Sequence, residues 1–122
     1  KDKAASMNMT MDQVITLASM IQAEAANVDD MYMISSIFHN RLRDGAEKGV
    51  ATLDSDPTVW YPYHSREEVP ADQVDSFKSR YNTYDVQGLP PGPICNPGLD
   101  AINAALNPKT TDYYYFCHKY GQ

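Results

Sequence analysis

The sequence predicts an α+β fold with an N-terminal helix pair, irregular Pro/Gly-rich loops, a short C-terminal helix and a small β-sheet. Three observations carry that expectation. Apolar residues recur at three- and four-residue steps between positions 14 and 42, prolines and glycines crowd positions 88–98, and two aromatic, β-prone runs flank that loop. A chain of 122 residues, 43% of them hydrophobic, can bury one modest core but not two, so residues 1–122 are expected to form a single domain.

Thr10 followed three positions later by Gln13 is a capping-box signature. Val14, Leu17, Ala18, Ile21 and Ala25 then fall at helical spacing, which predicts a first helix over about residues 11–26. Asn27, Asp29 and Asp30 offer the next cap, and Ile34, Ile37, Phe38 and Leu42 form a second stripe that stops at Asp44-Gly45. The short connection makes the two helices neighbours. Beyond Gly49 the pattern becomes extended, and Thr58-Val59-Trp60-Tyr61, set between Pro57 and Pro62, predicts a short strand. Ser65 to Glu68 repeats the capping signature and predicts a third helix around 66–79, interrupted by Pro70.

The run Gly88-Leu89-Pro90-Pro91-Gly92-Pro93 excludes regular helix and central strand, and its fixed φ angles favour a shaped, ordered loop. Asn96 as cap with Pro97 in the first turn opens a helix through Leu99, Ile102 and Leu106, closed by Asn107-Pro108. Tyr113-Tyr114-Tyr115-Phe116-Cys117 is expected to be a strand whose aromatic edge needs a partner.

Sixteen acidic against ten basic residues give a formal charge of −6, with no Lys/Arg cluster interleaved with aromatics. Nucleic acid and anionic lipid surfaces are therefore disfavoured partners. Nine Tyr and one Trp suit either stacking on sugars or filling a small wet core. No stretch of eighteen or more apolar residues occurs, so no membrane segment is expected here, and a start at Lys1-Asp2-Lys3 looks like an excision from a longer chain. Cys95 and Cys117 lack metal-type spacing and read as two separate, mostly buried thiols, with pairing in an oxidising compartment as the alternative. His39, His64 and His118 are isolated, so neither a metal site nor a triad is expected.

The candidate acid is Glu24. At 100° per residue it projects roughly 80° from the apolar stripe of the first helix, beside Leu17, Met20 and Ile21. A carboxyl against apolar neighbours prefers its protonated form and can act as a general acid; the alternative is a solvated boundary glutamate. Arg41 falls on the apolar face of the second helix and is either paired, with Asp56 as the candidate partner, or snorkelling into water.

These residues belong to a longer pattern. Leu17-Ala18-Ser19 with Glu24, Ser36-Ile37-Phe38, Asn40-Arg41-Leu42, Asp56-Pro57-Thr58-Val59 with Tyr61, and Tyr81-Asn82-Thr83-Tyr84 come first. Gly88-Leu89-Pro90-Pro91-Gly92-Pro93-Ile94, Asn96-Pro97-Gly98, and Thr111-Asp112-Tyr113 with Tyr115-Phe116 follow. In this order the chain resembles the catalytic domain of the YceG-like (MltG) endolytic murein transglycosylases over residues 14–117. Gln22 stands where members often carry a second glutamate, which leaves Glu24 as the position matching the family's catalytic one. The family pattern continues beyond Gln122, and its upstream membrane helix and LysM-like module are not in this sequence, so a C-terminally truncated catalytic fragment is expected.

The resemblance implies endolytic cleavage of the β-1,4 bond between N-acetylmuramic acid and N-acetylglucosamine, leaving 1,6-anhydro ends, with Glu24 as acid and then base. One carboxylate suffices because the attacking hydroxyl belongs to the substrate, and the resemblance implies no metal and no cofactor. Asp56, Asn82, Thr83 and Tyr84 are the expected substrate-binding wall, because short polar side chains and a phenol can hydrogen-bond sugar hydroxyls and N-acetyl groups. A purely structural turn is the alternative for Tyr81-Asn82-Thr83-Tyr84, and the Pro90-Pro91 loop would form a rigid rim. Implied partners are peptidoglycan glycan strands and cell-wall synthesis proteins, and the implied location of the parent protein is the extracytoplasmic face of the bacterial membrane. A water-using muramidase with Asp56 as second carboxylate, and a non-catalytic peptidoglycan-binding or scaffold domain, are the alternatives.

Overall fold

The structure is a computed structural model that describes residues 5–49, 52–63, 65–85 and 87–114. It contains the helices α1 (Met11–Glu24), α2 (Val28–Lys48) and α3 (Leu99–Leu106). Three short 3-10 turns, Asp56–Thr58, Arg66–Glu68 and Val74–Ser76, lie between α2 and α3.

The predicted capping box opens α1: Gln13 N donates to Thr10 Oγ1 at 3.1 Å, and Thr10 N to Gln13 Oε1 at 2.9 Å. From Thr16 to Ile21 every residue of α1 is buried, because α2, α3 and the proline-rich loop cover it on several sides. A helix enclosed in this way has no single stripe, and its buried polar groups must be satisfied locally. Thr16 Oγ1 donates to Asp12 O at 2.8 Å and Ser19 Oγ to Thr16 O at 2.7 Å.

Asn27 caps α2, accepting from Asp30 N at 2.9 Å. The helix does not stop at Gly45 as the sequence suggested; it runs on to Lys48 and ends where Gly49 adopts a left-handed φ of 76°. The Gly49 N–H closes back on Gly45 O, so Gly49 provides the stop and Gly45 is an interior residue. The third helix is capped from outside its own segment. Its N-cap is Gly98 rather than Asn96, and Gln22 of α1 accepts from Gly98 N at 3.0 Å. Ala101, Ala104 and Ala105 are fully buried in the core around Leu17, Met20, Phe38 and Leu53, and these small residues let α3 approach closely.

His39 joins α2 to α3 through a 2.8 Å hydrogen bond between Nε2 and Ala105 O. Burial lowers its pKa below the usual 6.5; the bond to Ala105 opposes the shift and the charge of Arg43 assists it. The folded state thus favours neutral His39, so its contribution to stability is complete above the unfolded value and is lost as pH falls through it toward the lower native one. His39→Gln, which keeps an N–H donor, should flatten the decline in unfolding free energy between about pH 7 and pH 5 in urea titrations. An unchanged decline would assign the effect to other groups.

The expected β-sheet is not found: among the described residues there is no strand, and the extended pairing consists of isolated bridges from Thr52 to Gln87 and Gly88. The architecture of the described residues is helical, not α+β. In the segment predicted as the first strand, Pro57 and the 2.6 Å bond from Thr58 Oγ1 to Ser55 O close a 3-10 turn instead. Its aromatic residues pack on other rings rather than on a neighbouring strand. In the second, Tyr113 and Tyr114 adopt no regular structure, and their carbonyls are taken by side chains of α2. Residues 115–117 of that predicted strand lie outside the described residues. The helix expected around 66–79 reduces to two 3-10 turns, since Ser65 makes no capping bond and Pro70 lies between them.

No helix among the described residues is long and apolar enough to cross a membrane.

Candidate active site

Glu24 is the last residue of α1, where the chain leaves the core before turning into α2. Its Oε2 accepts a 3.0 Å hydrogen bond from the hydroxyl of Ser55, which is itself fully buried. Ser55 is fixed by two threonines. Its N–H donates to Thr83 Oγ1 at 2.8 Å, and its carbonyl accepts from Thr58 Oγ1 at 2.6 Å. With the Thr58 proton used in that way, the Thr83 hydroxyl donates to Thr58 Oγ1 at 2.9 Å, while Thr83 N donates to the same oxygen at 2.9 Å. All three residues are inaccessible to solvent, so this knot of hydroxyls is a rigid base under the Glu24 carboxylate.

The preceding residue enters the knot in a strained conformation. Asp54 has φ 53°, a left-handed geometry that costs most non-glycine residues about 1 kcal/mol or more. Its carboxylate accepts from Thr52 Oγ1 at 2.7 Å and from Arg41 Nη1 at 3.3 Å, and its N–H donates to Thr83 O at 3.2 Å. Arg41, 4% exposed, is therefore paired, but with Asp54 and not with Asp56 as the sequence suggested. It also donates to Thr52 O and Tyr114 O, both at 2.5 Å. The register differs because the left-handed turn brings Asp54 toward α2, whereas Asp56 starts the following 3-10 turn. One turn of α2 thus clamps the site loop and the 111–114 segment together: Asn40 Nδ2 donates to Thr111 O at 2.9 Å and to Tyr113 O at 2.8 Å.

Asp56 and Tyr84 meet: the phenol donates to Asp56 Oδ1 at 2.5 Å. That bond, followed by burial and by the charges of Asp56, Asp54 and Glu24, pushes the Tyr84 pKa up to about 12. The phenol consequently stays protonated and remains a donor throughout the physiological range, in the same electrostatic neighbourhood as Glu24. The other two predicted wall residues lie elsewhere. Thr83 is buried beneath Ser55, and Asn82 folds onto its own turn, accepting from Tyr84 N at 2.9 Å.

An open cleft of about 860 Å³ runs beside this group, lined by Ala23, Asp56, Trp60, Tyr61, Tyr63 and Ile94 among others. Ala23 and Asp56 of the lining are the chain neighbours of Glu24 and Ser55, so the Glu24–Ser55 hydrogen bond ties together the two segments that form this part of the cleft wall. The far wall is the proline-rich loop, which α1 holds in place: Ile94 N donates to Ser19 Oγ at 3.0 Å. Cys95, expected to be mostly buried, is exposed along this wall, because its loop passes over the surface of α1. Its thiol donates to Ser19 O at 3.4 Å, and partial desolvation raises its pKa, which disfavours a thiolate. Cys117 lies outside the described residues. No group of three or more His, Cys, Asp or Glu among the described residues is arranged to hold a metal ion.

Ser55 is the residue that the sequence reading missed. It directly precedes Asp56-Pro57-Thr58, but a serine thirty-one positions from Glu24 carries no local sign that it will meet it.

Taken together, the described residues form a helical fold in which a buried serine anchors the Glu24 carboxylate and the neighbouring Ala23 and Asp56 line an aromatic cleft. The YceG-like family model matches residues 1–122, and the chain belongs to the YceG-like family. It is 37% identical over 119 residues to a Bacillus subtilis (strain 168) protein named endolytic murein transglycosylase, covering 98% of this chain and 32% of that one. A Streptococcus pneumoniae serotype 2 protein of the same name is 34% identical over 113 residues, or 91% of this chain and 20% of its own length. The chain thus spans about a third or less of these relatives. A crystal structure of a yceG-like protein from Listeria monocytogenes superposes with a TM-score of 0.74 at 38% identity, over 98% of this chain and 38% of that one.

Proposed function

We propose that residues 1–122 are a catalytic domain that cleaves peptidoglycan glycan strands as an endolytic lytic transglycosylase, with Glu24 as its acid and base. The observation that carries this reading is the hydrogen bond from the buried Ser55 to Glu24, between residues whose chain neighbours Asp56 and Ala23 line the cleft. Family membership and the names of the relatives support the substrate class.

Ser55 donates to Oε2, so the proton that the carboxyl gives up is held on Oε1. From there it passes to the glycosidic oxygen between N-acetylmuramic acid and N-acetylglucosamine. The carboxylate left behind takes the proton of the muramyl C6 hydroxyl as that oxygen bonds to C1, closing the 1,6-anhydro ring. Both proton transfers need one group in one position, which the buried serine provides. Asp56 and Tyr84 supply hydrogen bonds to sugar hydroxyls or the N-acetyl group; Asn82 and Thr83 act behind them by fixing the turn and Ser55. In this reading the parent protein works at the extracytoplasmic face of the bacterial membrane, beside other cell-wall synthesis proteins.

Digestion of purified glycan strands in heavy-oxygen water tests the reaction class. Unlabelled products one water lighter than hydrolytic ones, arising from internal cuts, are expected. Labelled reducing ends would convert the assignment to a muramidase with Asp56 as second carboxylate. Retained glycan binding with no product would leave a non-catalytic binding domain.

A further inference from the structure

Three aromatic residues line the cleft in sequence order beyond Asp56, namely Trp60, Tyr61 and Tyr63. Each is braced by a ring that does not itself line the cleft. Trp60 stacks on Phe77 with centroids 5.7 Å apart and planes 23° from parallel. Tyr61 leans on Tyr81 at 4.4 Å, and Tyr63 meets the edge of Phe77 at 5.6 Å. Such bracing goes beyond what the core requires, since none of these five residues belongs to the buried cluster around α1. It holds large amphipathic rings in position before any ligand arrives, so little side-chain freedom is lost on binding.

The ligand that fits this wall is constrained by charge. Asp56 keeps its negative charge while it accepts from the neutral Tyr84 phenol, and Arg66 and Glu67 at the cleft margin carry opposite signs, so the lining has no excess of positive charge. A phosphate polymer finds no cationic track there. A pyranose, with an apolar C–H face and polar edges, matches rings that offer apolar faces and hydroxyl or indole N–H ends.

We propose that Trp60, Tyr61 and Tyr63 form a pre-braced glycan-binding wall that holds the sugars on one side of the scissile bond and thereby sets the length of strand the domain prefers. Phe77 and Tyr81 are positioning residues behind it. The inference rests on the glycan-cleaving reading but is tested separately from it. Trp60 is the single tryptophan of the chain, so its fluorescence reports occupancy of the wall without any turnover.

In the Glu24→Gln protein, titration with soluble glycan strands released from peptidoglycan by amidase should shift or quench Trp60 emission in a saturable, length-dependent manner. Neutral β-1,4-linked N-acetylglucosamine oligomers serve as the second probe and should produce the same change, because the wall reads ring faces and not acidic substituents. In the active protein Trp60→Ala should raise KM for long strands about tenfold, the order expected for one lost aromatic contact, with kcat retained. Trp60→Phe should recover most of that loss, and Phe77→Leu, which removes only the brace, should fall between. Saturable fluorescence change without cleavage would uphold the wall and sink the catalytic reading. Cleavage with unaltered emission and an unaltered KM in Trp60→Ala would overturn the wall and leave the catalytic reading standing.

Discussion

Glu24→Gln is expected to lower glycan cleavage by about 10²–10⁴-fold, the range for a lost general acid, while leaving the unfolding transition in place. The amide is isosteric with the carboxyl and its oxygen can still accept from the Ser55 hydroxyl, so the helix end and the threonine knot persist. What disappears is the titrating proton. Ser55→Ala provides the graded comparison: the acid remains but loses its anchor, and a fall of roughly tenfold in kcat is expected from one lost orienting hydrogen bond. Turnover is measured by release of soluble muropeptide-bearing fragments, with circular dichroism as the check on folding. Near-normal turnover by Glu24→Gln would remove Glu24 from the mechanism, and the 3.0 Å bond to Ser55 would then be structural only.

Arg41→Ala is expected to produce the largest loss of stability, about 2–4 kcal/mol by urea denaturation. Arg41 is 4% exposed and its guanidinium donates to Thr52 O, Tyr114 O and Asp54, so truncation removes a donor from two backbone carbonyls and from the Asp54 carboxylate, which keeps its bond from Thr52 Oγ1. Asp54 is 42% exposed and can turn to water, which keeps the expectation below the upper limit for a fully buried pair. Because Asp54 leads directly into Ser55, cleavage should fall along with stability. Arg41→Lys should recover only a minor part of the stability, since an ammonium lacks the planar fork that reaches several acceptors at once. A destabilisation of a few tenths of a kcal/mol would mean that the loop and the 111–114 segment hold without the clamp.

The helices were legible because their signals are local. Thr10 with Gln13, Asn27 with Asp30, and the apolar spacing from Val14 to Leu42 act within a few residues of one another, so the starts of α1 and α2 follow from the sequence. The errors arose where tertiary contacts compete with local preference. Val59, Trp60 and Tyr61 have strand propensity, but Pro57 and the Thr58 hydroxyl close a turn and distant rings hold the aromatics. Tyr113 and Tyr114 lack a described partner strand, and Asn40 and Arg41 bind their carbonyls instead.

The sequence by itself determined the helix pair, the proline-rich loop, the net negative charge, and the family to which the motif order belongs. Only the tertiary structure decided the partners. That Glu24 meets Ser55, that Arg41 chooses Asp54 over Asp56, that Gln22 caps α3 and that Thr83 lies under the carboxylate instead of facing the cleft are all long-range matters. A hydrogen bond across tens of residues depends on angstrom-scale placement of two chain segments, and that placement is set by packing around α1 and by one left-handed residue at Asp54. No periodicity along the chain encodes it.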